Sequence, residues 1–149
     1  MTTSEHYAAL FSELESRVGK VSDHTLTSIV GFGAGGLVSI CEIPGKNAYV
    51  SCELSLYRQQ VPSAEGLRFE LLSVGSFTEE DCRRIFTAVG ALSFESQLGH
   101  GHTAEVSVAF GGGAEVLVQL NLFSQTQTMD GRFGIYEVLP IRRADHDAA

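Results

Sequence analysis

The residues able to do chemistry are few, and their spacing decides what they can do. Gly31-Phe32-Gly33-Ala34-Gly35-Gly36 satisfies GxGxxG after a strand-like run, with Glu53 about where a ribose-binding acid would stand. That fingerprint needs a crossover helix opening at its third glycine. Only Leu37 to Ile43 precede Pro44-Gly45, and these residues favour strand, so a glycine-rich turn or bulge is the simpler reading. His100-Gly101-His102 could aim two imidazoles at one ion, with His6, His24 and His146 elsewhere, but no HExxH, cysteine pair or carboxylate spacing completes a ligand set. Cys82 falls near a helix start, where a thiolate is stabilised, yet its register with Ile85, Phe86 and Val89 points it into the core. Glu42, Glu53, Glu70 and Glu137 lie on four strand-like runs and could converge for acid–base work; on strands with one wet face the plainer expectation is that they face solvent. There is no GxSxG, P-loop or Ser/His/Asp pattern. The reading is therefore non-enzymatic, with no catalytic residue, cofactor or metal, and with Glu53, His100, His102 and Glu137 as candidate binding residues.

Charge bounds the partner. Ten basic against eighteen acidic residues give a net charge of -8, and the closest basic groupings, Arg83-Arg84 and Arg142-Arg143, are flanked by acids. Such a surface repels phosphate backbones and anionic membranes and favours a basic polypeptide. No apolar run approaches the ~20 residues of a membrane span, and Met1 to Glu15 lacks a basic stretch leading into a greasy one. The expected location is cytoplasmic. Cys41, Cys52 and Cys82 form neither a CxxC nor an even-numbered framework, so reduced thiols are expected; Cys41 and Cys52 fall on consecutive strands and could face each other, with the register left open.

The elements that must position these residues follow from periodicity. At 149 residues the chain suits one domain, which buries roughly 70% of its unfolded surface. Tyr7, Leu10, Phe11, Leu14 and Val18 trace one helical stripe, with Ser4 as expected N-cap and Gly19 as stop. Strands are predicted over 25–32, 37–43 and 48–56, a loop over 57–66, and a central strand at 67–72. Thr78, followed by Glu79, Glu80 and Asp81, caps a helix expected over 79–92. Residues 103–110 and 116–122 alternate as a hairpin with one wet face, 124–131 read as a polar loop, and a last strand over 133–139 is stopped by Pro140. Residues 142–149 read as a frayed tail. Strands in runs joined by short links predict an α+β fold: a mixed, largely antiparallel sheet, with the two main helices packed on a face of it.

Taken together, several stretches resemble the suppressor of fused family, particularly its small bacterial members. Ala48 to Ser55 is similar to the family's strand ending in a Gly-Leu-Ser turn, with Glu53 for the glycine. Arg68-Phe69-Glu70-Leu71-Leu72 is similar to its Tyr-Glu-Leu strand before an acidic helix. Gly101-His102-Thr103 matches a Gly-His-Thr strand opening, and Tyr136 to Ile141 looks like its terminal strand with a Val-Pro step; the family's usual tryptophan is absent. The resemblance implies a protein-binding role: in animals a transcription factor is clamped between two domains, and bacterial members are thought to include immunity proteins that neutralise toxins. With length for one domain only, a peptide or toxin would dock on a single acidic surface or sheet edge. Two other readings stand beside it. A type III secretion chaperone is also acidic, of this length and helix-strands-helix-strands in order, but acts as an obligate dimer on an unfolded effector segment. A ligand- or metal-binding domain would use Gly31–Gly36 or His100 and His102.

Overall fold

The computed structural model describes residues 3–22, 25–29, 38–112, 115–128 and 131–141. The glycine-rich segment 31–36, His24, His146 and the tail 142–149 lie outside these residues. The order is α1 (Thr3–Arg17), β1 (Thr25–Ile29), β2 (Val38–Ile43), β3 (Ala48–Ser51), a 3₁₀ turn (Leu54–Leu56), β4 (Arg68–Val74), α2 (Glu79–Ser93), β5 (Thr103–Glu105), a second 3₁₀ turn (Ser107–Phe110), β6 (Leu117–Thr128) and β7 (Gly131–Ile141). The strands form one open sheet in the order β1-β2-β3-β4-β7-β6-β5. Every pairing is antiparallel except β4 with β7, where Arg68 to Leu72 register with Phe133 to Glu137. The fold is α+β with a mixed, mostly antiparallel sheet, as the grouping of strands predicts. Among the described residues no helix is long and apolar enough to cross a membrane.

The helices occupy opposite faces of the sheet, not one. Side chains alternate along a strand, and the buried residues divide accordingly. Leu10 and Leu14 of α1 pack on Cys41, Ile43, Val50, Leu72, Phe133 and Ile135. Cys82, Ile85, Phe86 and Val89 of α2 pack on Ile40, Tyr49, Phe69, Leu71, Tyr136 and Val138. Each fully buried leucine or phenylalanine contributes roughly 1.5–3 kcal/mol over its exposed state, so both layers are held by ordinary apolar burial.

The boundaries differ from the sequence reading where distant groups intervene. Helix α1 begins at Thr3, so Ser4 sits in its first turn instead of capping it. Helix α2 starts as predicted, with Thr78 Oγ1 accepting from the Asp81 N–H at 3.2 Å. The strand expected to reach residue 56 stops at Ser51, because the Glu70 carboxylate takes the Leu54 and Ser55 N–H groups, at 3.0 and 2.7 Å, that a ladder would need. The strand expected over 103–110 stops at Glu105. There Ser107 Oγ takes the Val116 N–H at 2.7 Å, and the chain winds through a 3₁₀ turn into Gly111 and Gly112, both at positive φ. The expected loop 124–131 is instead the end of a long hairpin, with Gln125 opposite Gly134 and Thr128 opposite Gly131. Pro140 does not stop β7, which runs to Ile141. Beyond Glu137 the registered neighbour of β7 is β6 alone, so the missing proline N–H costs no ladder bond to β4.

Candidate functional site

The densest polar cluster lies under α1, where β3 gives way to its 3₁₀ turn. Its centre is Glu70 of β4, with no exposed surface. The flanking Phe69 and Leu71 face α2, so Glu70 must face α1. Its carboxylate accepts from Ser51 Oγ (2.8 Å), Leu54 N (3.0 Å), Ser55 N (2.7 Å) and Ser55 Oγ (2.5 Å). The fully buried His6 imidazole brings Nε2 within 3.5 Å of Glu70 Oε2 and donates from the same nitrogen to the Cys52 carbonyl at 2.5 Å. Its ring leans on Phe133, centroids 4.8 Å apart. Burial alone depresses the His6 pKa, but the bond and charge of Glu70, the Cys52 carbonyl and the Glu53 charge outweigh it and raise the group above 6.5. His6 Nδ1 is buried without a partner among the described residues.

Glu53 extends the cluster toward α1 and β2, accepting from the Tyr7 hydroxyl and, at 2.5 Å, from the Ser39 N–H. Burial and then the Glu53 bond push the Tyr7 phenol above its ordinary range. Cys52 and Cys41 stand beside these groups with their sulfurs 3.4 Å apart, both free and buried. The cluster can fix α1 on the sheet and hold a thiol pair in a polar setting. With His6 and Glu70 fully enclosed, it offers a substrate no surface at those two groups.

A second polar group sits on the opposite, α2-facing side of the sheet, around Tyr136, the registered neighbour of Leu71. Tyr136 Oη bonds Ser63 Oγ at 2.8 Å and donates to Glu65 Oε1 at 2.5 Å; the same oxygen accepts from the His100 N–H at 2.8 Å. Chiefly through the Tyr136 bond, the Glu65 carboxyl is held below its usual range. His100 Nδ1 accepts from the Leu122 N–H at 2.9 Å, and the His102 carbonyl accepts from Leu120 N at 2.8 Å. The two histidines thus extend the β5–β6 ladder. Among the described residues no three His, Cys, Asp or Glu side chains gather as a metal site.

The four expected binding residues do not form one site. Glu53 belongs to the cluster under α1, His100 and His102 to the β5–β6 edge, and Glu137 to β7, where burial raises its carboxyl pKa. No hydrogen bond joins any two of them. Of the four strand glutamates expected to face solvent, Glu70 is fully buried; the others are half-buried. Cys82 is buried as its register predicts, and burial pushes its thiol up to about 11. His6, one of the scattered imidazoles in the sequence, is a core residue, and its place in one i, i+4 row with Leu10 and Leu14 is the local signal for that.

The outer edge strand β5 carries a different feature. Val108, in the 3₁₀ turn after it, is 88% exposed, while Phe110 two residues on lies under the Arg84 guanidinium at 5.6 Å from the ring centroid. Exposed Glu105 and Glu115 bracket that turn in sequence. No family model, curated protein or solved structure matches the chain.

Proposed function

We propose that the chain is a non-catalytic protein-binding module that docks a basic polypeptide on the β5 edge of its sheet. The observation that carries this is Val108, the large apolar side chain left exposed among the described residues, standing next to an edge strand and between Glu105 and Glu115. Helices pack on both sheet faces, so backbone pairing with another chain is available at an edge, and among the described residues β5 pairs with β6 on one side only. An exposed apolar side chain on an acidic protein suits a partner that presents an apolar pocket and basic residues, and the net charge of -8 speeds their encounter. The resemblance to suppressor of fused supports the same class of activity and narrows it to an immunity-type inhibitor working in the cytoplasm, where free cysteines suit a reducing compartment.

The test compares the wild-type chain with Val108→Asp and Glu105→Lys as baits in lysate of the source cells, at low and raised salt. A partner held by wild type at low salt, released by salt and lost by both variants supports the reading. Unchanged retention by the variants, or nothing retained, overturns it. Val108→Asp leaves Tm unchanged because the side chain already lies in water. Light scattering on the isolated chain gives a monomer; a strict dimer transfers the assignment to the secretion-chaperone class.

A further inference from the structure

Cys41 lies on β2 and Cys52 is the first residue past the end of β3, and both pack in the layer under α1. The β2–β3 register sets Cys41 opposite Val50, and the Cys52 N–H bonds to the Ser39 carbonyl at 3.0 Å, so the two cysteines are diagonal neighbours. On a twisted sheet one diagonal closes, and here it closes enough to put the sulfurs 3.4 Å apart with the Cys52 thiol directed at Cys41 Sγ. A disulfide needs about 2.05 Å between sulfurs, a contraction that side-chain rotation can supply without a new backbone pairing. From this geometry we propose that Cys41 and Cys52 are a reversible dithiol–disulfide pair, closed by a hydroperoxide oxidant.

The direction of the chemistry follows from the surroundings. Cys52 donates to Cys41 sulfur, which favours the Cys41 thiolate and holds its pKa below the ordinary value, while the same bond and burial raise Cys52. Cys41 is also the more exposed of the two. Its thiolate attacks one peroxide oxygen, the O–O bond breaks, and the departing alkoxide or hydroxide takes a proton to leave as alcohol or water. The resulting Cys41 sulfenic acid is attacked by Cys52 sulfur; the S–S bond forms, the S–OH bond breaks, and the hydroxide leaves as water with the Cys52 proton. Two thiols supply the two electrons that the peroxide accepts. Cys82 faces α2 on the other side of the sheet and has no second sulfur, so it is an internal control. The Cys52 carbonyl is the acceptor of His6, which places the new bond beside the contact that anchors α1.

The experiment treats the folded full chain with hydrogen peroxide, quenches it, and counts thiols after denaturation. The expected count falls from three to one, the intact mass falls by two hydrogens, and dithiothreitol restores both. Trypsin cuts after Lys46, so the bridge appears as peptide 21–46 joined to 47–58. Three surviving thiols, a bridge that uses Cys82 or a second molecule, or Cys41 carried to sulfinic acid with Cys52 still free each overturn the proposal. These readouts use the wild-type chain and need no variant to fold. In Cys52→Ser, Cys41 stops at a sulfenic acid that dimedone traps.

Discussion

Burying a carboxylate costs several kcal/mol unless bonds replace its water, and Glu70 has four such bonds in addition to its contact with His6. The arrangement ties three separate segments together, since the donors come from β3, the turn after it and α1. Because the folded state raises the His6 pKa above 6.5, folding takes up a proton in that range. The stabilisation is complete below 6.5 and is lost as pH rises through the higher folded value. Urea midpoints measured on the alkaline side of 6.5 therefore fall with pH in wild type, and the slope is absent from His6→Ala. The same substitution removes one partner of a buried pair, which costs about 3–5 kcal/mol. An unchanged slope in the variant would assign the pH dependence to another group.

Among the elements, α2 is the one whose start, length and inward face can all be read locally. Thr78 caps it, three acids fill its first turn, and Cys82, Ile85, Phe86 and Val89 keep helical spacing. Removing that cap in Thr78→Ala costs about 1 kcal/mol, seen as a lower urea midpoint with unchanged m-value. The elements that escape local reading are ended or begun by groups far away in sequence. Nothing in Leu54-Ser55-Leu56 announces that Glu70 will claim the Leu54 and Ser55 N–H groups, and nothing around Val106 announces that the Ser107 hydroxyl will take the Val116 N–H. The polar run Ser124 to Thr128 reads as loop because its partner, Gly131 to Ile135, is what makes it a strand. The candidate site divides along the same line. Alternation puts Glu70 on an expected wet face, and the structure buries it because α1 covers that face; the burial of His6 has a local signal in its row with Leu10 and Leu14. That these two residues meet follows from the packing of α1 across β3 and β4, which no spacing within either segment encodes.

At the scale of the whole molecule the excess of eight negative charges acts in two opposite directions, and salt separates them. Like charges crowded on a compact surface repel, so the folded state gains when they are screened. Opposing this, the short-range pairs Arg17–Glu13, Arg83–Glu80 and Arg84–Asp81 are weakened by salt, but exposed i, i+3 and i, i+4 pairs of this kind contribute little. His6 and Glu70 are enclosed and little screened. The balance favours repulsion, and Tm rises as sodium chloride shortens the Debye length from about 10 Å at 0.1 M toward about 3 Å at 1 M. The proposed docking of a basic partner on the β5 edge would have the other sign, because the same screening removes the attraction that draws the two surfaces together. Thermal melts and partner retention measured over one salt series thus move oppositely. Retention that falls while Tm climbs separates loss of electrostatic attraction from loss of fold. A Tm that falls with salt would mean that the surface is governed by its local ion pairs, and that net charge is the wrong quantity from which to infer the partner.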